Sequence, residues 1–373
     1  MTIEVTASQR IGSMGGYYSP RIGAPIKAEY GSRTVSEAEG TPRSGRARGR
    51  VTQSDLAALI GVTKMTVSRA LANPNLVSKK TLDRVKEAVF QTGYAPDLVA
   101  GALASNRSRL IVALIPSTAN GVLRQTLPIL SEQLFAAGYQ LMTARWDSVQ
   151  AEDSAAIDAI LGRRPAAIVL AGVVRTGLTR KKLLSAGIPI VEMWDTTKSP
   201  IDMLVGFSHA AVGRTAARYL RRLGCAYPAV VTTGDDWAQK RTQAFIKSIV
   251  GTRPVRFVVV DATATLGQIG NSLSILLENE PDIDSLFCAD DFAAIGTLLA
   301  AKTWHSKGKR TLRLVAFSDQ NLVDGLDFPV TTLQLDGRKI GALVAQIIIE
   351  QLKFGDVTRR RLNVDFTTVE ATA

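Results

Sequence analysis

The stretch VTQSDLAALIGVTKMTVSRALANPNLVS, residues 51–78, carries residue types that recognise nucleic acid. Leu56, Ala57, Ile60, Val62, Val67 and Leu71 recur at the spacing of an apolar seam between two short helices, and Gly61 suits the tight turn joining them. A second helix over roughly Lys64 to Ala72 then presents Lys64, Met65, Thr66, Ser68 and Arg69 outward. Such a helix fits a DNA major groove. Lys64 and Met65, near its N-terminal end, are placed for base edges, and Arg69 for paired hydrogen bonds to guanine O6 and N7. The hydroxyls of Thr52, Thr66, Ser68 and Ser78 suit phosphate oxygens. Thr and Ser here also suit helix caps, and for Thr63 and Ser78 capping is at least as good an account.

Charge is distributed accordingly. The net charge of +12 is concentrated: residues 41–110 hold 12 Lys and Arg against 4 Asp and Glu, and residues 1–40 balance. A local cationic excess is the footprint of a phosphate-backbone ligand, with a plain solvated basic face as the alternative. Chemistry of other kinds finds little support. The chain has two histidines, His209 and His305, and no G-x-G-x-x-G after a strand, Walker motif or G-x-S-x-G, so no catalytic set assembles. Cys225 and Cys288 lie far apart in apolar surroundings, without a C-x-x-C or a His cluster; they read as buried thiols, and no metal or cofactor is expected. The start of the chain has no apolar h-region, and no apolar run reaches the roughly 18 residues of a bilayer span, so a cytoplasmic, nucleoid-associated location is expected.

These residues need elements to hold them. Residues 1–48, rich in Gly, Ser, Pro and Arg, read as a disordered basic arm. The arm either adds nonspecific DNA affinity or is an over-long start to the reading frame. Residues 49–95 read as three short helices, with Thr52 and Asp55 at capping-box spacing, Thr63 and Ser78 before the second and third helices, and Gly93 as a stop. A linker occupies 96–108. From Arg109 onward the runs LIVALIP, YQLMTA, AAIVLA, IPIVEMW, PAVVTT, RFVVVD, SLFCAD and LRLVAFSD alternate with helical segments. Parallel strands covered on both faces require this texture. Ligands in such sheets bind beyond the strand ends, which directs attention to Ser117, Trp194, Gly234, Asp290 and Ser318.

The stretch from Val51 to Asp97, with its T-V-S-R core, V-S motif and G-Y-x-P end, resembles the DNA-binding headpiece of the LacI family of bacterial repressors. The resemblance continues through LIVALIPSTAN, AGYQ, GIPIVE, KRTQAF, CADDFAAIG and FPVTTLQLD. It implies a helix-turn-helix headpiece and a hinge helix joined to an α/β core like a periplasmic binding protein. That core would have two doubly wound subdomains, at about 109–208 with 336–361 and about 209–335 with 362–370. DLVAGALAS at 97–105 matches the family's hinge, where Leu103 would enter the minor groove and Ala100 would allow close approach. Asp97 and Leu98 depart from the Asn-Arg often found there, and Gly101 weakens the isolated helix by roughly 1 kcal/mol relative to Ala.

Arg241 in KRTQAF matches the family's effector-binding arginine, with Ala244 in place of a glycine; its fork can clamp a carboxylate or phosphate. Trp194 falls where Asp is frequent and is expected to stack on a ligand, while Asp290 matches a polar contact. Ser318 replaces an effector-contacting aspartate, which would remove repulsion of an anion beside Arg241. With Ser117, VTKMTVSR, GIPIVEMWD and KSPIDMLVGF, these features resemble the gluconate-utilisation repressors most, so gluconate or its 6-phosphate is the expected effector. Trp237 would shape that pocket or pack in the core with Phe207, and His209 reads as a helix-start residue. The C-terminus lacks a leucine heptad for tetramerisation, so a homodimer on a palindromic operator is expected. The alternatives are an effector that acts as corepressor or activator, a regulator of another sugar, and, outside regulation, an enzyme or a transport binding protein.

Overall fold

The computed structural model describes residues 51–95, 108–116, 123–146, 154–174, 177–249, 255–261, 263–309, 312–319, 328–357 and 360–370. The expected arm 1–48, the hinge residues Ala100 and Leu103, and Ser117 lie outside these residues. The chain divides between Ser105 and Asn106 into two units.

The smaller unit is helical. It contains α1 (Gln53–Ile60), α2 (Lys64–Ala72), a short 3-10 turn (Pro74–Leu76) and α3 (Lys79–Thr92). Each helix starts where its cap predicts. The Thr52 hydroxyl accepts from Asp55 N–H while the Asp55 carboxylate accepts from Thr52 N–H at 2.8 Å, a complete capping box. Thr63 and Ser78 accept from Thr66 and Thr81 N–H in the same manner. Gly61, at φ +61°, closes α1 in the left-handed conformation that lets α2 turn away. Leu56, Val67 and Val85 are wholly buried at the centre, ringed by Ala57, Ile60, Ala70, Ala88 and Tyr94. Leu71, expected in the seam, is half-buried, and Ala70 takes the interior position. Thr63→Ala should lower headpiece stability by about 1 kcal/mol, read as an earlier thermal unfolding of residues 51–95; an unchanged melt would remove the cap from this account.

The larger unit contains two six-stranded sheets. The chain first lays down β1 (Leu110–Ile115), α4 (Thr126–Ala136), β2 (Gln140–Arg145), α5 (Ser154–Leu161), β3 (Ala167–Ala171), α6 (Gly177–Ser185), β4 (Ile190–Met193) and β5 (Met203–Gly206). It then crosses to α7 (His209–Arg222), β6 (Pro228–Thr233), α8 (Asp236–Ile249), β7 (Arg256–Val260), α9 (Leu266–Asn279), β8 (Ser285–Cys288), α10 (Asp291–Ser306) and β9 (Arg313–Asp319). After β10 (Val330–Leu335) come α11 (Gly337–Phe354), β11 (Arg361–Asn363) and β12 (Thr367–Val369).

Strand order is β11-β5-β4-β3-β1-β2 in one sheet and β12-β10-β9-β8-β6-β7 in the other, parallel throughout except for the β10–β12 pair. This doubly wound arrangement explains the apolar strands. Helices cover both faces, so β3, β4, β6 and β8 are buried along their whole length. The return crossing follows Asn363, because β11 pairs in parallel with β5; the expected boundary at 361 and 362 is therefore displaced into the segment before Thr367. No helix among the described residues is long and apolar enough to cross a membrane.

Candidate functional site

On the headpiece, α2 exposes Lys64, Met65 and Arg69, with 61% of the Met65 surface accessible. Thr66 and Ser68 are half-buried, and the Thr66 hydroxyl shares a 2.9 Å hydrogen bond with Thr63. Thr52 and Ser78 are exposed and spend one acceptor each on their caps. Capping and phosphate contact are compatible, since a helix N-terminus still offers N–H groups and a positive dipole end to an anion. The helix has no acidic residue, so nothing on α2 repels a phosphate backbone.

In the larger unit, the strand order reverses between β1 and β3 in the first sheet and between β6 and β8 in the second. Crevices at such reversals, beyond the carboxyl ends, are where α/β sheets place ligands. Asp290 stands at the second of them. It caps α10 by accepting from Ala293 N–H at 2.9 Å, and its other oxygen accepts from Thr233 N–H and Oγ1 at the end of β6. Burial raises its pKa, opposed by the cap bond and by Arg241.

Arg241, on α8, is 2% exposed. Its Nε donates to the Ala289 carbonyl, one terminal nitrogen donates to His209 Nδ1 at 2.8 Å, and its guanidinium lies 4.6 Å over the Phe317 ring. Burial depresses its pKa, and the carboxylates of Asp235 and Asp290, with Asp291 and Asp195, oppose that loss. His209 completes the network through Nε2, 2.8 Å from the Trp194 carbonyl. An arginine only donates and a carbonyl only accepts, so the imidazole is neutral, with its proton on Nε2. Burial, then Arg241 and Lys240, hold its pKa well below the usual range.

Aromatic rings fill the space between the sheets. Trp194 stacks on Trp237 at 6.3 Å and meets Phe207 edge-on at 5.6 Å, Phe207 stacks on Phe317, and His209 stacks on Trp237 at 5.7 Å. Trp194 sits at φ +68°, a costly conformation for a bulky residue. It is held there from several sides: its N–H donates to the Val205 carbonyl and its indole N–H to Thr126 Oγ1 at 3.1 Å.

Several expectations are modified by this geometry. Trp194, expected to stack on a ligand, is 1% exposed and stacks on Trp237. Trp237 and Phe207 both belong to the core cluster. Ser318 is wholly buried in β9, and the neighbouring Phe317 is the residue that supports Arg241. The expected gain from replacing an aspartate at 318 is offset, because Asp235 and Asp290 already face the guanidinium electrostatically. His209 is the first residue of α7, the helix-start position expected for it, but its bond to Arg241 had no signal in the sequence. Asp235 did have one, directly following the strand-end Gly234.

His209 should leave a pH signature. The unfolded chain takes up its proton near pH 6.5 and the folded one only at lower pH, so stability is complete above 6.5 and falls as pH drops below it. The slope approaches about 1.4 kcal/mol per pH unit. His209→Gln should flatten the dependence of melting temperature on pH between 6.5 and 5. Buried carboxylates contribute equally to both proteins, so identical slopes would contradict the neutral buried imidazole.

The sequence matches the family described as bacterial regulatory proteins, lacI family, over residues 52–97, and that described as periplasmic binding proteins and sugar binding domain of LacI family over residues 109–368. It is 26% identical over 328 residues to the HTH-type transcriptional regulator GntR of Pseudomonas aeruginosa, covering 87% of this chain and 96% of that protein. The crystal structure of a LacI family transcriptional regulator from Silicibacter pomeroyi is similar with a TM-score of 0.76 at 28% identity, covering 86% of this chain and 98% of that one. The lac repressor dimer bound to operator and the anti-inducer ONPF shares the fold, with a TM-score of 0.69 at 20% identity over 87% of this chain and 98% of that one. With both parts of the chain matched and the two-sheet architecture in place, this protein belongs to the LacI family of bacterial regulatory proteins.

Proposed function

We propose that this protein is a non-enzymatic, sequence-specific repressor of sugar-acid catabolism genes. It binds a palindromic operator as a homodimer and is released by gluconate or 6-phosphogluconate. The observation that carries the DNA reading is α2, with Lys64, Met65 and Arg69 exposed on a helix free of acids. Lys64, Met65 and Arg69 read bases, while Thr52, Thr66, Ser68 and Ser78 contact the backbone; Ala100 and Leu103 of the hinge enter the minor groove. Arg241 supports an anionic effector, with Asp290, Trp194, Trp237, Ser117 and Ser318 as the other effector residues. Arg241 is 2% exposed and Trp194 stacks on Trp237 beside it, so effector binding at Arg241 would be accompanied by movement of the groups that bury it.

Arg69→Ala tests the base-reading role. Bidentate recognition of guanine by Arg69 predicts a loss of about 1–3 kcal/mol per half-site and relaxed preference at one base position. Binding-site selection with both proteins, at several salt concentrations, reads this out. Equal weakening on every sequence, with a shallower salt dependence, would make Arg69 a phosphate contact instead.

A further inference from the structure

On the outer side of the Arg241 network, α7 and α8 lie unusually close. A Cβ built on Gly213 of α7 would stand 2.0 Å from the Arg241 carbonyl oxygen, so only glycine allows the approach. Beside it, the next residue of α7, Arg214, joins Lys240, Lys247 and Ser248 of α8 around an open cavity of about 400 Å³. Ser208, the N-cap of α7, and the first-turn residues His209 and Ala210 complete that wall, at the positive end of a 14-residue helix. One carboxylate is present, Asp195, and it is ion-paired with Lys240. Arg214 and Lys247 meet no carboxylate among the described residues, and both are exposed. The cavity therefore holds two uncompensated cations on separate helices, hydroxyls from Ser208 and Ser248, and a helix N-terminus.

We propose that this cavity is a second ligand site, for the phosphate group of a small phosphorylated metabolite, separate from the buried Arg241 network proposed above to hold the effector. Two cations and several donors match a dianion with many acceptor oxygens; a carboxylate would use one charge and leave the second cation unpaired. The volume exceeds that of phosphate and leaves room for a carbon skeleton. His209 is the link between the sites: it lines the cavity and also bonds Arg241. An occupant is thus one imidazole away from the effector arginine.

Equilibrium dialysis of the full chain against labelled inorganic phosphate, at low and constant ionic strength, tests the site. The expected result is saturable binding of one phosphate per chain, weakened at least tenfold by Arg214→Ala and by Lys247→Ala, and changed less than threefold by Arg241→Gln. Arg214 and Lys247 are exposed, so their removal leaves the core intact. Absence of saturable binding, insensitivity to both cation variants, or loss only in Arg241→Gln would overturn the proposal, the last by placing phosphate at Arg241. Gluconate binding, measured on the same proteins, separates the two readings. Its absence beside the expected phosphate pattern would remove the gluconate effector and leave the second site.

Discussion

Gly213→Ala destabilises the α/β unit by about 3 kcal/mol, the upper end of what inserting one methyl into a packed interface costs. The clash is with main chain: besides the Arg241 carbonyl at 2.0 Å, the added Cβ would stand 2.9 Å from the Phe245 nitrogen. Neither atom can swing aside as a side-chain tip would, so α7 and α8 must separate. Separation strips cover from Val212, Ala216, Ala217 and Phe245, all wholly buried, and pulls Arg241 away from His209. For a unit of this size the melting temperature should fall by roughly 6–12 °C. Gly177→Ala is the control. A Cβ there meets nothing within 4 Å, and the residue opens α6. Its substitution should be neutral or slightly stabilising. Similar melting temperatures for the two variants would contradict the close helix contact.

Arg241→Ala should abolish the proposed response to a sugar acid and also cost stability. The side chain is buried, donates to Ala289 and His209, and opposes the charges of Asp235 and Asp290. Its loss leaves Asp290 in a site where burial already raises its pKa, without the main cation that favours its ionised form. Breaking a buried charge cluster in this manner costs about 3 kcal/mol. Calorimetric titration with gluconate should show no binding, while operator affinity without effector stays close to that of the native protein, since headpiece and α/β core are separate units. Arg241→Lys should rescue stability in part. It should not restore full affinity, because an ammonium cannot make the paired bonds of a guanidinium. Gluconate binding at native affinity in Arg241→Ala would remove the arginine from the effector site.

Much of this architecture can be read from local sequence. The headpiece is explicit because caps and turn residues act over three or four positions: Thr52 with Asp55, Gly61, Thr63, Ser78 and Gly93 each mark an end the structure observes. The central strands of both sheets appear as continuous Val, Ile and Leu runs because helices cover both of their faces. Four other strands lack that signature: β5 offers only three apolar residues before Gly206, β10 reads VTTLQL, with polar residues interrupting the apolar ones, and β11 and β12 are three residues long and carry polar residues.

The site is legible in part for a related reason. Arg241 and Asp290 follow from motif and strand-end position. The Trp194–Thr126 bond, the His209–Arg241 bond and the Gly213 contact join residues distant in sequence, and no local pattern encodes them. The burial of Trp194 belongs to the same class: a tryptophan after a strand is equally able to face a ligand or a second tryptophan, and only the approach of α8 decides for Trp237.

In the proposed function, a sugar acid reaching Arg241 releases the headpiece from its operator. The direct measurement is operator binding by the purified full chain, titrated with gluconate, 6-phosphogluconate and a neutral sugar, in the native protein and in Arg241→Ala. Release by one of the acids and not by the neutral sugar, lost in the variant, is the predicted result. Unchanged operator binding in the presence of every acid, or release that persists in Arg241→Ala, would contradict it.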